Sequence, residues 1–333
     1  MKIAVFETEQ REAAPFDRFK PAHDVNVFAA PLRVDNAGAA ADAEIVSAFI
    51  YSALDAAALA RMPKLELIAT RSTGYDHIDV DYCRAHDIAV CNVPAYGENT
   101  VAEHVFALLL ALSHRLIEGV ARAKSGNFSP EGLEGFDLSG KTLGVIGTGN
   151  IGRHAIRIAK GFAMDVIASD VRPNPALASE LGFRYVLFDE LLSRADVISL
   201  HVPATPQTEN LLSEEAFARV KKGVIVINTA RGNLIDTAAL IGALRDGRVG
   251  GAGLDVLPEE PLIREEAELI SSRFANTHDL RNLVANHVLL NMANVIVTPH
   301  SAFNTREAVA RIVETTVGNI EAYLMGRPQN LVA

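Results

Sequence analysis

The sequence predicts an α/β protein in which the second half of the chain builds a doubly wound parallel sheet and a second, smaller, discontinuous α/β domain accompanies it. Three observations predict this. Residues 142–298 alternate short β-branched runs with longer helical patterns, the signature of right-handed βαβ units. A glycine-rich turn, Gly147-Thr-Gly-Asn-Ile-Gly152, joins the first of those runs to a helical pattern. The chain has 333 residues, 49% hydrophobic and only 22% charged, which excludes a disordered chain and supplies core for two domains.

The first hundred residues carry five apolar runs, Ile3–Phe6, Val25–Ala29, Ile45–Tyr51, Leu65–Ala69 and Ile88–Val93, with no glycine fingerprint among them. They predict the smaller α/β unit. A helical pattern from about Val101 to Ala123 follows as a connecting helix, with Asn99-Thr100 in capping position and Glu103 three residues beyond Thr100. The second half then offers six strands: Thr142–Ile146, Asp165–Ala168, Asp196–Leu200, Val224–Asn228, Gly251–Asp255 and Val295–Thr298. Six is the number a full dinucleotide-binding sheet needs. Residues Thr305 to Leu324 again read as helix, and nothing in that sheet requires them. They are expected to return to the first unit, giving a substrate domain of 1–100 and 301–333 around a nucleotide domain of 101–300.

Composition narrows the function. The net charge is -10 with Lys and Arg scattered, so a grip on phosphate backbones, and nucleic acid as partner, is not expected. Cys83 and Cys91 form no CxxC pattern and are too few to brace the fold, which points to a reducing, cytoplasmic setting. The N-terminal stretch turns acidic before a signal-peptide core could form, and the longest apolar run, Val105 to Leu112, is far short of a membrane span. Asp76-His77-Ile-Asp79-Val-Asp81 resembles a metal cluster, yet Asp79 reads as a helix N-cap and the others as an exposed turn, so no metal is expected.

Gly147, Gly149 and Gly152 stand between a buried strand and a helix, where glycine serves the tight turn, the approach of a pyrophosphate to backbone, and helix–strand packing. Eighteen residues beyond Gly152, at the end of the next strand, Asp170 can accept hydrogen bonds from the adenosine ribose and would repel a 2′-phosphate. NAD is therefore expected over NADP. Arg172, two residues on, leaves some dual use open.

Three further strands end in residues with chemistry. Val224-Ile-Val-Ile-Asn-Thr-Ala-Arg231 ends in an arginine, whose planar fork suits bidentate binding of a carboxylate. Gly251-Ala-Gly-Leu-Asp255 is followed five residues later by Glu260, and either carboxylate could instead serve as a turn or cap residue. Val295-Ile-Val-Thr-Pro-His300 delivers a histidine. Hydride delivery to a ketone carbon leaves an oxyanion that must be protonated by a group titrating near neutrality. His300 can supply that proton. Glu260 beside it would fix the imidazole tautomer and favour the charged form, Arg231 would hold the substrate carboxylate, and Asp255 would support the cofactor or tune the site.

The chain resembles the D-isomer-specific 2-hydroxyacid dehydrogenase family, and within it the D-lactate dehydrogenase branch. The resemblance covers nearly all the chain and is densest in Val197-Ile-Ser-Leu-His-Val-Pro-Ala-Thr-Pro, Asn228-Thr-Ala-Arg-Gly, Gly253-Leu-Asp-Val and Thr298-Pro-His-Ser-Ala-Phe. It implies a Rossmann-type doubly wound sheet beside a flavodoxin-like domain, and an NAD-dependent reduction of a 2-keto acid, pyruvate or similar, to the D-2-hydroxy acid. It implies Arg231, Glu260 and His300 as active-site residues. It implies cofactor contacts from Asn150, Ile151, Asp170, Val202, Pro203, Thr229, Ala230, Arg231 and Asp255, and a homodimer formed through the nucleotide domain. The turn Arg71-Ser-Thr73-Gly74 matches the family's carboxylate-binding turn, and Tyr96 and Phe303 match positions bordering the substrate. A polar Asn304, where lactate-type members often carry an aromatic, leaves the substrate side chain open. The long stretch from Leu262 to Asn294 matches a similar segment of the D-lactate branch. Corepressors resembling this family retain the fold, so an NAD(H)-sensing binding protein is the rival expectation. Formate oxidation is disfavoured because such enzymes pair histidine with glutamine where this chain has Glu260.

Overall fold

The computed structural model describes residues 1–8, 10–258 and 280–333, without side chains for 10, 11 and 280–283. The chain forms two compact units, Met1–Tyr96 with Asn304–Ala333, and Gly97–Phe303.

In the first unit β1 (Lys2–Val5), β2 (Asp24–Val27), β3 (Ile45–Ala48), β4 (Leu67–Thr70) and β5 (Ala89–Cys91) form one parallel sheet in the order β2-β1-β3-β4-β5. Every residue of β3 and β4 is buried, as a parallel sheet covered on both faces requires. One face packs Val46, Ile68 and Val90 against Leu54, Leu59 and Met62. The other packs Ile3, Ile45 and Leu67 against Val313, Val317 and Ile320 of the helix Arg306–Leu324. Thr305 starts that helix, its side chain accepting from the Ala308 N–H, and Asp79 caps Val80–Ala85 in the same way through the Tyr82 N–H. Burial pushes both thiols, Cys83 and Cys91, up to about 11, so neither is a nucleophile at neutral pH.

The second unit is a seven-stranded parallel sheet: β6 (Thr142–Ile146), β7 (Asp165–Ser169), β8 (Arg184–Tyr185), β9 (Val197–Leu200), β10 (Val224–Asn228), β11 (Val249–Leu254) and β12 (Val295–Val297). The order β12-β11-β10-β9-β6-β7-β8 winds outward from β6 in both directions. Helices cover both faces. Ala102, Phe106, Ala155 and Ile156 pack on one, Leu191, Phe217, Leu240 and Leu244 on the other. Because all strands are parallel, their carboxyl ends share one edge, the edge at which such sheets bind ligands. The seventh strand, β8, is the difference from six. Two residues at a sheet edge are too short to show a period.

The expected single connecting helix is two. Glu98–Ser113 and Leu116–Lys124 meet at a bend of 61°, with Arg115 in the left-handed region at φ 48°. The break has a physical cause: the Phe136 N–H takes the Ser113 carbonyl at 2.9 Å, and Gly135 passes so close that a Cβ there would lie 1.9 Å from the same oxygen. The helix also starts earlier than expected. Gly97 is its N-cap residue, and Thr100 is buried in the first turn instead of capping it. Among the described residues no single helix is long and apolar enough to cross a membrane.

Candidate active site

Each candidate in the second unit follows a strand of its sheet. After β6, Gly147 turns the chain at φ 93°, and a Cβ there would lie 2.5 Å from the His201 carbonyl and 2.9 Å from Val202 Cγ1. That closeness brings Val202, at the end of β9, against the loop. Gly152, in the helix Asn150–Gly161, would drive a Cβ to 2.1 Å from the Gly147 carbonyl. Gly149 differs from both. Its φ is -65° and nothing lies within 4 Å of the position of a Cβ, so no protein atom demands glycine there. A ligand lying on the backbone at the helix N-terminus does.

After β7, the Asp170 carboxylate accepts from Thr148 N (2.7 Å), Thr148 Oγ1 (2.7 Å) and Arg172 N (2.8 Å). Partial burial acts to raise its pKa, but these hydrogen bonds outweigh burial and hold the carboxyl below its ordinary range. Thr148 spends its proton on Asp170, so the Tyr185 hydroxyl, 2.8 Å away on β8, donates to Thr148. A chain of donors thus aims one ionised carboxylate at the sheet edge. At the end of β9, burial depresses the His201 imidazole to about 4, and Ser199 Oγ lies 2.9 Å from its Nε2.

After β10, Asn228 ties the loop: its Oδ1 accepts from Ala230 N at 3.0 Å and its Nδ2 donates to the Arg231 carbonyl at 2.8 Å. The Arg231 guanidinium donates to the Ala230 carbonyl at 2.8 Å. Gly232 lies so close to Leu257 that a Cβ would meet its carbonyl carbon at 2.1 Å, which seats the Arg231 loop on the segment leaving β11. Thr229 Oγ1 is buried without a hydrogen-bond partner, one of two such side-chain atoms among the described residues. A buried orphan hydroxyl in a ligand-binding loop fits a missing polar partner.

The ends of β11 and β12 are tied together through Asp255. Asp255, 1% exposed, follows β11, and its carboxylate accepts from Thr298 Oγ1, from Ser301 N at 2.9 Å and from Ala302 N at 2.8 Å. Its backbone carbonyl accepts from His300 N at 2.9 Å. One residue therefore fixes the whole turn, and His300 sits in it at φ 52°, a left-handed conformation uncommon for a side chain of that size. His104, from the helix Glu98–Ser113, lies 3.0 Å from Thr298 Oγ1 and 3.5 Å from Asp255 Oδ1.

Residues 106–302 match the D-isomer specific 2-hydroxyacid dehydrogenase, NAD binding domain family. The chain belongs to the D-isomer specific 2-hydroxyacid dehydrogenases. It is 37% identical over 338 residues to the D-lactate dehydrogenase of Escherichia coli, covering 100% of both chains. It is 37% identical over 287 residues to a glyoxylate reductase of Thermococcus litoralis, covering 84% of this chain and 80% of that one. Among solved structures, the D-lactate dehydrogenase of Aquifex aeolicus complexed with NAD and lactic acid superposes with a TM-score of 0.87 at 36% identity, over 98% of this chain and 96% of that one. NAD is the cofactor of this 2-hydroxyacid dehydrogenase, and the residues present fit it. Gly149 leaves backbone open to a pyrophosphate, Asp170 offers an ionised acceptor for a ribose, and Thr229 has an unspent hydroxyl.

The remaining sequence candidates lie elsewhere. Thr73, Gly74 and Tyr96 belong to the first unit, where three consecutive carbonyls are held internally: Ser72 O by Val93 N, Thr73 O by Asn92 Nδ2 and Gly74 O by Ser72 Oγ. The Tyr96 carbonyl accepts from Arg311 Nε at 2.5 Å. Phe303 ends the second unit. Glu260 lies outside the described residues. Sequence reasoning missed His104, Thr298 and Tyr185. For His104 a signal existed, since it interrupts a helix whose neighbours Val101, Ala102, Val105 and Phe106 are all buried.

Proposed function

We propose that the chain reduces pyruvate or a similar 2-keto acid to the D-2-hydroxy acid. The observation that carries the proposal is the turn built around Asp255, which spends a buried carboxylate on holding His300 in a left-handed conformation at the carboxyl edge of the NAD-binding sheet. Strain of that kind is retained where a side chain must be aimed. When bound, NADH supplies the hydride that reduces the carbonyl carbon. His300 donates the proton to the developing oxyanion and, in reverse, its neutral imidazole takes the hydroxyl proton. Arg231 binds the substrate carboxylate with its fork and polarises the carbonyl. Glu260, which lies outside the described residues, is the carboxylate assigned to the same acid–base step.

Thr73 and Gly74 offer a backbone turn for the substrate carboxylate, since their carbonyls are already engaged and their N–H groups are the donors left for a ligand. Tyr96 and Phe303 border the substrate side chain, and Val202, Pro203, Ala230, Asn150, Ile151 and Asp255 complete the cofactor environment. A homodimer through the second unit belongs to the same reading. Its helix Leu116–Lys124 buries no residue and exposes Leu116, Ile117 and Val120, an apolar face that a second copy would cover. Light scattering checks the mass.

The test is oxidation of NADH by the purified protein with pyruvate, glyoxylate, hydroxypyruvate, oxaloacetate and phenylpyruvate. Turnover of at least one is expected. Tight NADH binding with no turnover of any would favour the NAD(H)-sensing alternative.

A further inference from the structure

We infer that His104 is a positioning residue for the acid–base turn, acting on His300 through Thr298 and Asp255. The inference rests on the proposed role of His300. Direction of hydrogen bonding carries the first step. The Thr298 hydroxyl donates its only proton to Asp255, so toward His104, 3.0 Å away, it can only accept. His104 Nε2 therefore bears a hydrogen. The same N–H lies 3.5 Å from Asp255 Oδ1, so one imidazole edge faces the hydroxyl and the carboxylate together.

Asp255 is where this matters. Its side chain is fully buried, and a buried carboxylate persists only where donors surround it. Thr298 Oγ1, Ser301 N and Ala302 N are three such donors, and all three belong to the turn that carries His300. The imidazole of His104 is the one ionisable partner of Asp255 among the described residues, and it arrives from a separate element, the helix Glu98–Ser113. The turn is thus anchored on its far side to a sixteen-residue helix that itself packs on the sheet. Without that anchor the Thr298 hydroxyl can rotate, Asp255 loses a fixed donor, and the left-handed backbone at His300 loses part of what over-determines it. His104 is placed to set the aim of the acid without touching the substrate.

Three variants test this, measured as stopped NADH oxidation with the fastest acid of the five above. His104→Leu keeps the volume and removes the N–H. It should lower kcat at least tenfold while KM for NADH and for the keto acid stay within about twofold. His104→Gln restores an amide N–H near the same place and should recover most of the loss. Thr298→Val should reproduce the defect, and adding it to His104→Leu should cost little more, because both break one chain of hydrogen bonds. The isotope effect from NADH deuterated at C4 should rise in His104→Leu, as proton and hydride transfer become slower relative to release steps. Wild-type kcat in His104→Leu overturns the inference. So does an equal loss in the Leu and Gln variants with a raised KM for NADH, which would mark a packing role. Should His104→Leu fail to fold, the Gln and Thr298→Val variants still decide. His300→Ala run alongside separates the two levels: if it keeps turnover, the role of His300 itself fails, whereas loss there with normal His104→Leu sinks only the present inference.

Discussion

His300 and Arg231 are asked to do different things, and their variants should separate. His300→Ala removes the proposed proton donor, which would act in the transition state, so kcat should fall by about 100-fold or more while NADH affinity, read by fluorescence quenching, changes little. Arg231→Lys replaces a fork by a point charge and should raise KM for the keto acid as well as lower kcat. Asp170→Ala removes the ionised acceptor that Thr148 and Arg172 hold in place, and the ratio of kcat/KM for NADH over NADPH should drop by at least tenfold. An unchanged ratio would remove the ribose role. At this scale much was legible. A glycine loop, an arginine and a histidine each follow an apolar run in the sequence, and each follows a strand of the second sheet in the structure. What sequence could not declare is partnership. Asp255 and Thr298 stand 43 residues apart and His104 and Thr298 stand 194 apart, and nothing local marks that they share protons.

Whole elements were legible where a pattern had room to repeat. The strand Val224–Asn228 is buried at all five residues and Arg306–Leu324 runs nineteen, so period and length reveal both. The two-residue β8 and the break after Ser113 were not, because the first is shorter than its period and the second is caused by a carbonyl captured from residue 136. Arg71 shows the same limit. It reads as part of a carboxylate-binding turn, and in the structure its side chain is 1% exposed, donating to Phe6 O at 2.6 Å, Glu7 O at 2.7 Å and Ser47 Oγ at 3.1 Å. Burial lowers its pKa to about 10, against the raising effect of Glu7 and Glu12, so it remains charged at neutral pH. Arg71→Met would leave the Glu7 carbonyl and the Ser47 hydroxyl without this donor and the Phe6 carbonyl with Thr8 Oγ1 alone, and should destabilise the first unit by about 3 kcal/mol or more in urea unfolding.

For the molecule as a whole, the two units have separate cores and separate sheets, and the residues proposed to hold the cofactor all lie on the second. NADH at about 100 times its Kd should therefore stabilise the second unit by about 2.7 kcal/mol, seen as a rise in its unfolding midpoint or in slower amide exchange along β6 and β9. Fold class was legible at this scale because a parallel sheet wound both ways needs helices of one pattern and strands of another in strict alternation. The substrate was not, because the family's relatives include a D-lactate dehydrogenase and a glyoxylate reductase on the same frame. The central claim is hydride transfer to a 2-keto acid with His300 supplying the proton, and product analysis tests it most directly. With NADH deuterated at C4 and the best keto acid, chiral chromatography and mass analysis should give the D-2-hydroxy acid with deuterium at C2 from the wild type, and only traces from His300→Ala with NADH still bound. An L-configured product, a product without deuterium, or equal yield from His300→Ala would contradict the account.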